Sequence, residues 1–253
     1  MIALRNLYGP RRRRAERGTG LLDFIVATVV LSLVMAAAYS NLATQMRSHA
    51  AQTMTSETIN DTRMALRLIE EQVAMAGFGV PRATTPSVAP SLITATATKL
   101  SFWTQVNAQH TYLTAAALKN ATSVTVLSAT GLSVGSSVYV TDTSVWYSGT
   151  IQAINGNTVT VNPALTYNFV AGSELTPVEQ VTYELVGNEL RRNGKHFIGN
   201  VTALTFGYDS ATLSAIRKIT ITLSGQTRAV DAATGKKLTV TVTTQVAPPN
   251  LAL

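Results

Sequence analysis

The stretch RRRRAERGTGLLDFIVATVVLSLVMAAAYSNLA, Arg11 to Ala43, decides the fold, because the rest of the chain is built onto what it forms. A block of arginines meets an apolar run. From Leu21 to Ala43 that run is broken by Asp23 and by the small polar residues Thr28, Ser32, Ser40 and Asn41. About 20 apolar residues cross a bilayer, whereas a cleavable signal core has about 7–15. The run therefore predicts a membrane-spanning helix over 21–43. Arg11, Arg12, Arg13, Arg14 and Arg17 hold its N-terminal side in the cytoplasm. Met35-Ala36-Ala37-Ala38 offers small residues for ordinary signal cleavage and stands as a competing reading. A lone carboxylate in lipid costs several kcal/mol, so Asp23 calls for a partner.

The charge belongs mostly to this end. Residues 1–18 hold six arginines against Glu16, which supplies +5 of a net +7 over 253 residues. An arginine-rich tail is also a nucleic-acid footprint. Here it ends against an apolar segment, so topology is the better reading and no nucleic acid is expected as a partner. The chain has no cysteine, which excludes disulfides and thiolate metal sites. A hydrophobic content of 46% with 13% charged residues is enough for a packed core.

No proline or glycine interrupts Leu21 to Ala76. After the apolar stretch the chain turns polar but keeps a helical period. Ile59, Leu66, Ile69, Val73 and Ala76 recur on one face, while Arg63, Arg67, Glu70 and Glu71 lie off it. Gly77, Gly79 and Pro81 end the helix. The expectation is one continuous helix, apolar all round in its first half and on one side in its second.

The residues RG|TGLLDFIVA, Arg17 to Ala27, resemble the processing and assembly motif of type IV pilins and type II secretion pseudopilins. The resemblance implies a leader over 1–18, cut after Gly18 by a prepilin peptidase. Thr19 becomes a methylated N-terminus, and Asp23 takes the place of the acid at the fifth mature position. In that family the acid neutralises the N-terminal amine of a neighbouring subunit, so Thr19 and Asp23 form the assembly pair. Two departures stand out: the first mature residue is usually phenylalanine, and the acid is usually glutamate. Thr19 and Asp23 are also four apart and could pair within one helix. A second stretch, RMALRLIEEQVAMAGFG (Arg63 to Gly79), is similar to the helix end of PilW-like minor pilins, relatives of pseudopilin J. The resemblance implies other major and minor pilins, an inner-membrane assembly platform and the lipid bilayer as partners. It also implies a course from single-pass inner-membrane protein to periplasmic or extracellular pilus. A pseudopilin of type II secretion is the alternative. So is a signal-anchored extracytoplasmic β-domain that binds glycan or cell wall.

Beyond Pro81 short alternating runs rich in threonine and valine predict strands. They are 99–106, 123–129, 137–142, 149–154, 157–163, 179–186, 188–193, 200–208, 216–225 and 236–246. Asn155-Gly156 predicts a type I′ hairpin, with further hairpins at Gly187-Asn188 and Asn193-Gly194. The segment PRATTPSVAP, 81–90, reads as a loop. Leu100 to Trp103 followed by Glu179 to Val246 resembles the head of the PilW-like and pseudopilin J group. The fold expected is α+β, a long N-terminal helix on an antiparallel β head. The leader is 1–18, the helix 19–80, and the head 81–110 with 178–253. Residues 111–177 are an inserted small β-barrel or β-sandwich, with Trp146 and Tyr147 in its packing.

No catalytic constellation appears. His49, His110 and His196 are scattered, with no zinc-helix pair, and His196 reads as an exposed turn residue. GLSVGSS (131–137) lacks the lysine of a phosphate loop. Asp142 and Asp231 lack calcium-loop spacing. Glu70 and Glu71 point to different helix sides. Arg191 and Arg192 read as solvated on opposite strand faces. No cofactor, metal or enzymatic activity is expected.

Overall fold

A computed structural model of the chain describes residues 19–231 and 234–251. The fold is α+β. Helix α1 runs unbroken from Thr19 to Ala74, against an expected 21–76. The chain divides into two compact units, Met1–Thr53 and Met54–Leu253, and the division falls inside α1.

In the first unit the described residues are helix alone. Its apolar side chains find no cover among the described residues: Leu21 is 76% exposed, Phe24 72% and Leu33 67%. At about 1.5 Å per residue, 21–43 measures roughly 34 Å, enough for a hydrocarbon core of about 30 Å. The hydroxyls in this run turn back onto the helix. Thr28 Oγ1 donates to Phe24 O (2.7 Å), Ser32 Oγ to Thr28 O (2.8 Å) and Thr44 Oγ1 to Ser40 O (2.9 Å). Each hydroxyl is satisfied by a carbonyl one turn back, which lowers the cost of an apolar surround.

In the second unit α1 shows the predicted stripe. Leu66, Ile69, Val73 and Ala76 are buried, joined by Thr62 and Ala65, while Ile59 is half-buried. Arg63, Arg67 and Glu71 are exposed. The helix ends by tightening: Met75 and Ala76 donate to Gln72 O and Val73 O, and Gly77 N–H leaves the helix for Trp103 O at 2.8 Å. Gly77 has φ +79°, and a Cβ there would lie 2.9 Å from Ser91 Oγ. Both constraints require glycine at this exit.

The strands are β1 (Leu92–Ala95), β2 (Lys99–Gln105), β3 (Thr111–Tyr112), β4 (Ser123–Thr125), β5 (Ser137–Thr141), β6 (Trp146–Asn155), β7 (Thr158–Asn162), β8 (Glu174–Val186), β9 (Glu189–Arg192), β10 (Lys195–Gly199), β11 (Val201–Tyr208), β12 (Ile219–Gln226) and β13 (Thr239–Val246). One sheet runs β1-β2-β8-β5-β6-β7-β4, with β3 and β9 also on β8 and β10 on β9. A second runs β11-β12-β13. All these strand pairs are antiparallel.

Two apolar cores form in this unit. The first gathers the α1 stripe with Phe102, Tyr183, Leu190, Leu204, Phe206, Ile219, Ile221 and Leu223. The second gathers Leu113, Val126, Val140, Tyr147, Ile151, Val161, Phe169 and Leu175 from 111–177. Strand β8 feeds both, Leu175 to the second and Val181 and Tyr183 to the first. The expected boundary at 177/178 lies inside this single strand. Pro177 cannot donate to a ladder. It sits between Leu175, paired with Thr111 of β3, and Val178, paired with Gln105 of β2, while Val138 of β5 pairs it on the other side. Its carbonyl accepts from Val106 N–H at 3.2 Å, just past the end of β2, so its missing N–H falls where the partner changes from β3 to β2.

The hairpins differ from expectation at one point. Asn155 pairs with Thr158, so the first turn is centred on Gly156-Asn157, with φ +56° at glycine alone. That is the type II′ pattern, not type I′. Type I′ appears instead at Asn193-Gly194, where φ is +52° and +74°. The loop 81–90 is strapped onto β6: Trp146 N–H donates to Thr85 O, and Trp146 Nε1 to Ser87 O at 2.7 Å.

Candidate anchoring segment and head surfaces

Gly18 and the arginines at 11–14 and 17 lie outside the described residues. Thr19 opens α1. Asp23 stands exposed on the helix beside Val26, Ala27, Val30, Leu31 and Val34, which share its face at three- and four-residue steps. A carboxylate therefore heads an otherwise apolar stripe that the chain leaves uncovered. Among the described residues α1 is the one helix long and apolar enough to cross a membrane. A membrane anchor and a signal sequence both fit that description.

In the head, the polar atoms nearest the core fasten α1 to the sheet. Gln72 Oε1 accepts from Tyr183 OH and from Arg192 Nε (2.8 Å), and Arg192 Nη2 donates to Glu179 Oε1 at 3.0 Å. Tyr183 and Arg192 are cross-strand partners on β8 and β9. Burial pushes the Tyr183 phenol up to about 12, although the Arg192 charge pulls the other way. Arg192 is thus a structural tether rather than a solvated charge, which corrects the sequence reading. Arg191 points elsewhere and pairs with Glu189 at 3.2 Å. Gln72→Ala should leave the phenol and the guanidinium without their acceptor. A buried donor left unpaired costs about 1–3 kcal/mol. Chemical denaturation followed by tryptophan fluorescence checks this; Gln72→Glu, which keeps an acceptor, should lose less.

His196 lies on β10, opposite Arg191, and its Nδ1 is 3.8 Å from Glu189 Oε2. It is a strand residue rather than a turn residue, though it is exposed as expected. Tyr147 is buried in the second core, with its hydroxyl on Pro163 O. Trp146 is half-exposed and meets Tyr139 edge-on at 5.6 Å, and Tyr139 meets Trp103 at 6.4 Å. The strapped loop and these edge contacts account for the half-exposed indole. Asp142 caps its own turn. Burial opposes its ionisation, but N–H donation from Val145 and Ser144 and the Ser144 hydroxyl outweigh it and lower the carboxyl.

An open cleft of about 900 Å³ runs between α1, β10 and the 226–229 loop; Met54, Leu68, Phe197 and Ile198 supply apolar walls. Asp61 and Arg228 face each other across it at 4.0 Å, both well exposed. No nucleophile–base pair lines it. Among the described residues no group of three or more histidine, aspartate or glutamate side chains could hold a metal.

Sequence reasoning missed the Gln72–Tyr183–Arg192–Glu179 network. Its members are spread over 120 residues, and no local pattern joins them. The hairpin signal at Gly187-Asn188 was the available clue, since that turn folds β9 back on β8 and sets Arg192 opposite Tyr183. Comparison with protein-family models, curated proteins and solved structures returns no match.

Proposed function

We propose that the chain is a membrane-anchored filament subunit, a minor type IV pilin whose leader is removed after Gly18. The supporting observation is the helical run from Leu21 to Leu42. Its apolar side chains are exposed throughout, and a carboxylate heads one stripe of it. An uncovered apolar surface of this size marks a membrane or protein partner. In lipid the surface is satisfied before assembly. Against neighbouring helices it is satisfied again, and Asp23 then meets the ammonium of an adjoining subunit. Two charges that are costly apart lose much of that cost together. The polar network at Gln72 keeps the head fixed to the second half of α1. The ring of pairings from β8 through β5, β6, β7 and β4, returned to β3 by the Leu113–Val126 bridge, supports reading 111–177 as a small barrel carried by the head. Such a module suits a priming, tip or adhesion role.

The test is the mass of the mature N-terminus in protein taken from its native envelope. Methylated Thr19 is expected, and an intact leader overturns the proposal. Asp23→Ala should be processed normally and enter sheared filaments at least about tenfold less than the parent chain, measured by quantitative blotting. Each tenfold corresponds to about 1.4 kcal/mol, well within what an unpaired charge at a membrane edge costs. Equal incorporation would remove the charge-pairing step and leave the anchor.

A further inference from the structure

Among the described residues every sheet edge in the head but one is blunted. β1 is four residues long with a register shift at Leu92/Thr94. β4 has three residues, followed by the Leu113–Val126 bridge. β10 begins with Lys195 and shifts register between His196 and Ile198. β11 has a shift at Val201/Ala203, and its outer side is taken where Val201 and Phe206 donate to Asn188 O and Ala97 O. Such features keep edges from pairing with other chains.

β13 has none of them. It is TVTVTTQV, eight residues in unbroken register with β12, without charge, proline or bulge. Its open side can be identified. Thr227 N–H donates to Leu238 O, so the Leu238–Thr227 pair carries the ladder bond. Ladder bonds alternate along an antiparallel pair. Thr239, Thr241, Thr243 and Gln245 therefore turn their N–H and C=O groups away from β12. The side chains agree. Close contacts are expected in the non-bonded pairs, and Thr243 meets Thr222 at 3.0 Å and Thr241 meets Ser224 at 2.8 Å. Four donors and four acceptors thus line the free edge. Among the described residues no backbone bond covers them, and all four residues are exposed.

We propose that this edge docks an extended, uncharged strand of another protein, antiparallel to β13, whose C-terminal end is acidic and lies beside Lys236 and Lys237. A row of alternating backbone donors and acceptors is matched by another extended backbone. Lys236 and Lys237 are exposed, immediately precede β13, and have no acidic partner among the described ion pairs. In an antiparallel arrangement they face the end of the incoming strand. A second copy of this chain supplies Ala247-Pro248-Pro249 there, which carry no charge, and the two prolines no N–H. The charge at that end therefore favours a different protein. This inference does not depend on the filament reading.

The test uses the full chain in detergent micelles and a labelled synthetic peptide. The peptide alternates threonine and valine over the length of β13 and ends in two glutamates; a control ends in two lysines. Fluorescence anisotropy should show saturable binding of the acidic peptide, at least about tenfold tighter than the control. Thr243→Pro removes an outward N–H while sparing the ladder to β12, the one arrangement in which a strand tolerates proline. It should abolish binding without changing the melting temperature. Lys236→Glu with Lys237→Glu should reverse the preference between the two peptides, and it tests the site even where the proline variant folds poorly. Absence of saturable binding, equal affinity for both ends, or unchanged preference in the charge-swapped chain overturns the proposal. Cross-linking between copies through Thr243→Cys, which a two-fold antiparallel pairing brings opposite itself, would assign the edge to a second copy and equally overturn it.

Discussion

Gly18→Ala should leave the chain longer by the 18 residues of the proposed leader, with the unprocessed form retained in the membrane fraction. The expected effect is close to all-or-none. A peptidase that cuts after a small, flexible residue at the membrane edge needs the backbone to enter its site, and a Cβ at that position obstructs the approach. The uncut chain keeps Arg11, Arg12, Arg13, Arg14 and Arg17 covalently attached to the helix, and these hold it on the cytoplasmic side. It also lacks the Thr19 ammonium, so Asp23 of its neighbour has nothing to meet. Two readouts separate the steps: mass spectrometry reports cleavage, and blotting of sheared filaments reports incorporation. Normal cleavage in this variant would place the processing site elsewhere. The neighbouring variant Thr19→Phe introduces the residue most usual at this position in type IV pilins and, on the proposed function, should process at least as well as the parent chain.

Ile69→Ala should destabilise the head by about 2–5 kcal/mol, the range for truncating a large buried aliphatic residue. Ile69 is fully buried in the first core, at the middle of the stripe by which α1 meets the sheets. The cavity would open between helix and strands, where Gly225 and Thr62 are already so close that a Cβ on Gly225 would lie 2.3 Å from Thr62 Oγ1. That seat of Gly225 against the Thr62 side chain, two turns before Ile69, limits how far the helix can settle into the space, which argues for the upper part of the range. For a unit of this size each kcal/mol is worth about 2–4 °C, so the melting temperature should fall by roughly 4–20 °C. Tryptophan fluorescence is the suitable readout, since Trp103 and Trp146 both lie in the second unit. Met64→Ala on the same helix is the control. Met64 is 68% exposed, and surface changes usually stay within about 0.5 kcal/mol.

These variants divide the chain much as its sequence does. The helix was legible because Leu21 to Ala76 holds no breaker and changes from apolar all round to apolar on one side. Strands β5, β7, β11, β12 and β13 were legible because they alternate. β1, β3 and β10 were not. LITA and KHFIG show no clean alternation, and two residues of β3 carry no period at all. β8 was read short, from Glu179, because its first residues pair with β3 and β5 of the 111–177 region, and Pro177 is tolerated where its partner changes from β3 to β2. The anchoring segment was legible for a different reason. Its signal lies in composition and in the order arginine, glycine, apolar run, acid, none of which needs tertiary contacts. The tether at Gln72 was illegible because a half-buried glutamine on a helix carries no mark of which strand it will reach.

Strand β8 has a consequence of its own. One half of it is woven between β3 and β5, the other between β2 and β9, and its side chains go inward at both ends. Neither core can open without pulling on the same thirteen residues. Regions joined through a common element open together rather than in turn. A contact made on the 111–177 side is therefore felt as a change in how often the helix-bearing side opens.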